Sequence, residues 1–230
     1  MKIVTINGQN HKGSTYHIGR MLAEKITSPD EITEIFLPRD MSHFCVGCTQ
    51  CFADTETKCP HYGETQPLTK LMDEADVLIF TSPVYVFHAT GSMKAFLDHY
   101  GYRWMVHRPE EKMFSKQAVV ISTAAGGGMK STCKDMAHNC FFWGIGKTYK
   151  YGVGVRAVSW DGVPEKIKSN IAGKTDNLAS KIKHRAGRVK PGIKTKGFFA
   201  IMRMVHRKGF NEADDNYWKE KGWFDNKRPW

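Results

Sequence analysis

Four of the six cysteines lie close together in the sequence: Cys45, Cys48, Cys51 and Cys59. Three thiols separated by two residues each can converge on one small inorganic centre, such as an iron–sulfur cluster. Four thiolates also suit zinc, with His43 or His61 replacing one of them. A third interpretation is that the cysteines are small residues that pack a loop and bind no ligand. The spacing of ligands makes a metal site feasible, but it does not determine which metal binds. The residues alone leave all three interpretations open.

The other two cysteines, Cys133 and Cys140, are seven residues apart on a predicted helix, and we expect both in the core. The sequence turns polar after its first six residues and lacks the long apolar stretch of a signal peptide. These features predict a cytoplasmic protein whose cysteines are thiols, metal ligands or redox groups rather than structural disulfides. The longest apolar stretches fall far short of the roughly 20 residues that a membrane-spanning helix needs.

Three loops have compositions that suit a flat, phosphorylated ligand. The first loop, residues 7–15, places Ser14 and Thr15 just before a predicted helix, where backbone N–H groups bind phosphate. The second loop, residues 82–91, is aromatic enough to bracket a flat ring. The third loop, residues 123–128, contains consecutive glycines that let the backbone approach a ligand closely. Each loop also has an ordinary structural explanation, so only their meeting at one edge indicates a binding site.

These loops belong to an alternating pattern of strands and helices. Five apolar runs predict strands, at residues 2–6, 31–37, 76–82, 117–122 and within 147–155. Segments with apolar residues at helical spacing separate them, from residue 13, around 68–72, at 91–102, at 129–142 and after Pro164. This alternation specifies an α/β fold with a parallel sheet covered on both faces. The loops after strands one, three and four are then expected to meet at one edge.

Three segments also carry a resemblance to a known family: residues 6–15 (INGQNHKGST), 82–99 (SPVYVFHATGSMKAFLDH) and 122–128 (STAAGGG). Over about the first 155 residues the chain resembles the flavodoxin-like NAD(P)H-dependent FMN reductases. The resemblance implies a flavodoxin-like, doubly wound, five-stranded parallel sheet of order 2-1-3-4-5. It also implies bound FMN, NAD(P)H as co-substrate, and a homodimer or tetramer.

The resemblance assigns ligand contacts to each loop. The FMN phosphate would lie on the first loop, at Gln9, His11, Gly13, Ser14 and Thr15. The isoalloxazine ring would contact the second loop, at Pro83, Val84, Tyr85 and Val86. The third loop would close the other edge of the ring, through Thr123, Gly126, Gly127 and Gly128. Many relatives have Ser-Pro-Arg where this chain has Gln9-Asn10-His11, so His11 and Lys12 would replace the charge of that arginine.

The cysteine segment is similar to the compact cysteine motif of the iron–sulfur flavoproteins, a branch of the same family. In that branch the motif holds a [4Fe–4S] cluster near FMN. The similarity implies four cluster ligands, Cys45, Cys48, Cys51 and Cys59, with a longer last gap than in that branch. Many flavin reductases of the superfamily keep a related segment without any cluster.

The formal net charge of +11 is concentrated late in the chain. Residues 181–208 contain ten Lys and Arg and no acidic residue, which leaves +1 for the rest. We predict a flavodoxin-like FMN-binding domain at residues 1–187 and a basic, aromatic, helical C-terminal extension at residues 188–230, with helices at 195–208 and 213–221. The favoured interpretation is that the apolar side of this extension packs on the core or on a sister subunit. Contact of residues 194–208 with an anionic membrane surface is the alternative, and no nucleic-acid partner is expected.

These features predict an FMN-dependent NAD(P)H oxidoreductase that passes hydride from nicotinamide to flavin N5 and then electrons to a small acceptor. That acceptor would be a quinone, a nitro or azo compound, or free flavin. One alternative is an iron–sulfur flavoprotein that transfers electrons with ferredoxin. Another is a binding module that uses the basic extension on membrane or nucleic acid. No catalytic acid is predicted.

Overall fold

Five strands form a single parallel sheet in the computed structural model, which describes all residues, 1–230. The strands are β1 (Ile3–Asn7), β2 (Ile32–Phe36), β3 (Val77–Pro83), β4 (Gln117–Ala124) and β5 (Lys147–Gly154). Their order is β2-β1-β3-β4-β5, with every pair parallel. This confirms the predicted flavodoxin-like sheet. The order reverses between β1 and β3, so the loops that follow these strands diverge and leave a crevice.

Eight α-helices accompany the sheet: α1 (Ser14–Ile26), α2 (Gln50–Ala53), α3 (Tyr62–Glu74), α4 (Gly91–Asp98), α5 (Met129–Phe142), α6 (Glu165–Arg185), α7 (Ile193–Arg207) and α8 (Glu212–Glu220). Helices α1 and α6 cover one face of the sheet, and α3, α4 and α5 cover the other. Because both faces are covered, β3 is buried at successive residues from Val77 to Ser82. None of the helices combines the length and the hydropathy needed to cross a bilayer.

The helix predicted at residues 91–102 is shorter than expected. It ends at Asp98, because the N–H groups of His99 and Tyr100 bond to carbonyls three residues back, at 3.2 Å each. A separate 3-10 turn follows at Gly101–Arg103. The segment after α4 therefore continues as a 3-10 turn and not as an α-helix.

The C-terminal extension packs on the rest of the chain. Phe199 of α7 is 1% exposed and stacks on Trp218 of α8, with ring centroids 4.7 Å apart. Trp223 joins them from the extension, and Met105 and Phe114 complete this cluster from the preceding part of the chain. One side of the basic helix therefore packs on the core, as favoured above. The division of the chain at residue 187 stays a prediction.

Replacing Phe199 with Ala is expected to lower the free energy of unfolding by about 3–5 kcal/mol, because it leaves a cavity among tightly packed rings. Urea unfolding followed by tryptophan fluorescence measures this effect. Ile201 of the same helix is 49% exposed, so Ile201→Ala serves as control and should cost less than about 1 kcal/mol. Equal effects of the two substitutions would contradict docking through Phe199.

Candidate active site

A cavity of about 330 Å³ opens at the carboxyl end of the sheet. Its walls come from the first loop, from residues that end or follow β3 and β4, and from the segment after β5. The prediction that the three loops meet at one edge is therefore confirmed. A crevice at the strand-order reversal is where open parallel sheets bind ligands.

Most of the predicted ligand contacts lie in this cavity. The lining includes Gln9, His11, Gly13, Ser14, Thr15, Pro83, Val84, Tyr85 and Thr123. Four predicted contacts do not line it: Val86, Gly126, Gly127 and Gly128. Val86 is 94% exposed because it occupies the tip of a turn, and Gly128 sits at the N-cap of α5.

Sequence reasoning missed several wall residues: Asn7, Tyr16, Thr81, Ala124, Ala125, Val155, Ala157 and Val158. Asn7, Ala124 and Ala125 belong to the predicted first and third loops without having been named as contacts, and Thr81 is a residue of β3. Val155, Ala157 and Val158 follow β5, which pairs with β4 along its whole length. That pairing brings the segment after β5 to the same edge, although the sequence placed this strand only loosely, within 147–155.

The start of α1 offers unsatisfied backbone donors. Its N-cap is Gly13, which provides no side-chain acceptor, and its first turn contains no acidic residue. The first N–H groups of a helix have no intrahelical partner, and the helix dipole makes this end positive. The Nε2 atom of His11 lies 3.0 Å from the point where a Cβ on Gly13 would stand. This arrangement suits a phosphate group.

Hydrogen bonds tie the three loops together. The Thr15 and Thr123 hydroxyl oxygens are 2.5 Å apart, and the Val84 N–H donates to the Thr123 carbonyl at 2.9 Å. The Thr90 hydroxyl donates to the Gly8 carbonyl at 2.7 Å. A Cβ at Gly8 would stand 2.9 Å from the Thr90 oxygen, so only glycine fits there. The cavity walls are thus held in place before any ligand binds.

The second loop contains a strained turn. Tyr85 and His88 exchange backbone hydrogen bonds of 2.9 and 3.0 Å around Val86 and Phe87, whose φ angles are +49° and +64°. Positive φ is unfavourable for such bulky residues, so neighbouring contacts must hold the turn. Asp135 of α5 provides two of them, because its Oδ2 accepts from His88 Nδ1 at 2.9 Å and from the Ala89 N–H at 3.1 Å.

The four clustered cysteines lie between β2 and α3, in what we call the cysteine loop, residues 45–59. All four are free thiols, with Cys45 and Cys48 exposed and Cys51 and Cys59 partly buried. Burial raises the pKa of Cys51 to about 11, and the neighbouring thiols of Cys59, Cys45 and Cys48 add to the effect. The four thiols share one loop, but only Cys59 converges with other possible ligands in this structure.

Two histidines adjoin Cys59. The ligand atoms of Cys59, His61 and His99 all lie within 4.8 Å of one another, and His61 Nδ1 is 2.9 Å from His99 Nε2. His99 Nδ1 is 2.8 Å from the Ala95 carbonyl, which only accepts, so Nε2 carries the lone pair that accepts from His61 here and that a metal would use. His43 instead bonds to Glu64 at 2.7 Å. If zinc binds here, His61 and His99 are therefore better placed to ligate it than His43.

The remaining thiols are buried in the core, as expected. Burial raises the pKa of Cys133 to about 11 and that of Cys140 to about 12. We expect a thiol reagent at pH 8 to modify only the four cysteine-loop thiols of the metal-free native protein, and all six after denaturation. Absorbance of the released chromophore counts them. Rapid modification of six thiols in the native state would contradict the buried positions.

Comparison with known proteins agrees with this geometry. The family model described as NADPH-dependent FMN reductase matches residues 1–149. An iron-sulfur flavoprotein of Archaeoglobus fulgidus is 27% identical over 235 residues, which cover 96% of this chain and 99% of that protein. The FMN-dependent NADH:quinone oxidoreductase 1 of Mesoplasma florum is 28% identical over 106 residues, covering 43% of this chain and 50% of that protein.

A solved FMN-dependent NADH-azoreductase from Bacillus anthracis, in complex with FMN, superimposes with a TM-score of 0.54. Its sequence identity is 15%, and the match covers 80% of this chain and 100% of that one. At this identity the likeness shows the fold alone. The family model, in contrast, spans well over half of the chain and includes all three loops of the cavity. This protein therefore belongs to the NADPH-dependent FMN reductase family.

Proposed function

We propose that this NAD(P)H-dependent FMN oxidoreductase passes electrons to a small planar acceptor: a quinone, a nitro or azo compound, or free flavin. The observation that carries the proposal is the cavity at the strand-order reversal, with the uncapped start of α1 at one end and the second loop at the other. FMN, when bound, supplies a centre that takes up a hydride and returns electrons singly or in pairs.

The residues of the cavity suit the two ends of FMN differently. The backbone N–H groups at Ser14 and Thr15, with the nearby side chain of His11, would hold the phosphate. Pro83, Val84 and Tyr85 would contact the flat ring, positioned by the hydrogen bond between Val84 and the third loop. Backbone N–H groups and side chains would therefore together bind and orient the cofactor.

Exposed apolar side chains beside the cavity support a small planar acceptor. Tyr85 is 47% exposed, Phe87 is 68% exposed, and Val158 is fully exposed. Aromatic and aliphatic surfaces of this kind bind flat molecules by stacking and by burying apolar area. The homodimer or tetramer, the membrane contact of residues 194–208 and the cytoplasmic location stay predictions.

An anaerobic visible spectrum tests this function. Protein supplied with FMN should show flavin bands that bleach when NADPH or NADH is added and return when a quinone or an azo dye is added. Initial rates should follow ping-pong kinetics, because the nicotinamide and the acceptor use the flavin in turn. Protein that binds no FMN, or bound flavin that neither nucleotide bleaches, would refute the proposal.

An iron–sulfur flavoprotein is the second function that we propose. Free thiols are the donors that such clusters use, and Cys45, Cys48, Cys51 and Cys59 lie in one loop between β2 and α3 as free thiols. The relative named an iron-sulfur flavoprotein also matches nearly the whole chain. A cluster would supply one-electron transfer to a partner such as ferredoxin.

Iron and acid-labile sulfide analysis separates the two functions. Protein prepared without oxygen should contain roughly four iron and four sulfide per chain if the loop holds a [4Fe–4S] cluster. Zinc in place of iron would support the zinc interpretation. Flavin reduction by NADPH in protein that contains neither metal would leave the first function standing and remove the second.

A further inference from the structure

The C-terminal extension reaches the cysteine loop through one buried charge cluster. The Asp214 carboxylate of α8 is fully buried and accepts from Arg108 Nη1 at 2.5 Å and from His107 Nδ1 at 2.7 Å. The other terminal nitrogen of the same guanidinium, Nη2, donates to the backbone carbonyl of Cys51. Arg108 thus connects a residue of the extension with a candidate metal ligand.

The geometry requires an arginine at this position. A guanidinium is a planar fork that can donate to two acceptors at once, whereas an ammonium acts as a single point of charge. The Arg108 side chain is only 9% exposed, so it depends on Asp214 for neutralisation. Without that carboxylate, the buried cation would have to move toward water and would leave the Cys51 carbonyl.

The backbone around Cys51 needs such support. Helix α2 has four residues, and its N-cap, Thr49, has a left-handed φ of +59°. A single helical turn is unstable by itself, because fixing its backbone costs more free energy than its few hydrogen bonds return. The Phe52 ring also packs on the His107 ring, with centroids 4.7 Å apart. His107 and Arg108 thus each contact α2, and each donates a hydrogen bond to Asp214.

We propose that Arg108, oriented by Asp214, is a positioning residue for Cys51, and that the C-terminal extension braces the cysteine loop. This assigns the extension a role that its charge alone did not indicate. The effect on the thiol of Cys51 is independent of any metal. The effect on metal retention rests on the second proposed function.

The test compares three variants of the full chain. Arg108→Lys keeps the positive charge but removes the planar guanidinium that donates to two acceptors. Asp214→Asn keeps the shape of the side chain and removes its negative charge. Asp215→Asn is the matched control. Asp215 lies on the same helix and accepts from His206 Nδ1 at 2.7 Å, but it has no contact with Arg108.

The first readout is alkylation of metal-free protein with iodoacetamide, resolved by mass spectrometry. We expect Cys51 to react about tenfold faster in Arg108→Lys and Asp214→Asn, with Cys45 changed less than about twofold. Asp215→Asn should leave both rates within about twofold of the wild type. The reactivity of Cys133 and Cys140 reports global unfolding, and should Asp214→Asn unfold, Arg108→Lys decides the result.

The second readout is the iron and sulfide retained after anaerobic reconstitution with ferrous iron and sulfide. We expect the first two variants to retain less than about half of the wild-type cluster. If the wild type itself takes up no iron, the second proposed function fails and the alkylation result alone decides the bracing role. An unchanged Cys51 rate in both variants, or equal acceleration of all loop thiols, would overturn the proposal.

Discussion

Replacing Ser14 with Asp is expected to weaken FMN binding by about a thousandfold without destabilising the protein. The new carboxylate would lie at the uncapped start of α1, where the phosphate is proposed to bind. Two like charges about 4 Å apart repel by about 4 kcal/mol at an effective dielectric constant of 20, which corresponds to this loss of affinity. The same carboxylate interacts favourably with the helix dipole, which offsets the cost of burying it where Ser14 is 9% exposed, so the free energy of unfolding should change by less than about 1 kcal/mol.

Fluorescence titration of the apoprotein with FMN measures the affinity, and urea unfolding without FMN measures the stability. Ser28→Asp is the control, because exposed Ser28 precedes a different, 3-10 helix at Pro29–Glu31 and does not line the cavity. It adds the same charge and should change the affinity less than about threefold. Wild-type affinity in Ser14→Asp would show that the phosphate binds elsewhere.

Replacing Cys48 with Ser is expected to remove most of the iron from anaerobically prepared protein, from roughly four atoms to fewer than about one per chain. A serine hydroxyl is a far poorer ligand for iron than a thiolate, and Cys48 is one of the two exposed thiols of the loop. FMN content should not change, since Cys48 does not line the flavin cavity.

Cys133→Ser is the matched control for this substitution. It changes the same atom in a buried core position and should keep the iron, although it lowers the stability of the fold. Iron, sulfide and zinc are measured together on each preparation. Full iron content in Cys48→Ser would refute ligation by this cysteine.

Local patterns in the sequence predicted the strands because buried strand positions are occupied mainly by apolar residues. The apolar run of β3 indicated a strand covered on both faces, and every residue from 77 to 82 is buried in that way. The order of the strands came from the resemblance of the loop motifs to a known family, since apolar residues do not specify which strands pair. The structure confirmed both.

Contacts between distant segments could not be predicted in the same way. The His99 ring is hydrogen-bonded to that of His61, 38 residues earlier in the chain. The Arg108–Asp214 pair joins residues 106 positions apart. Neither pair has a spacing or periodicity that would mark it, because each forms only after separate helices have docked.

The sequence by itself determined the local chemistry of this protein: the small and hydroxyl residues at the first helix start, the aromatic second loop and the spacing of four cysteines. Tertiary structure decided how these parts meet. Parallel pairing brought the loops, and the segment after β5, to one cavity. Docking of α8 placed the buried Asp214 carboxylate against Arg108, which donates to the cysteine loop. The physical reason is that residue types influence the structure of only a few neighbouring positions. Sites form where packing of the whole chain brings distant segments into contact.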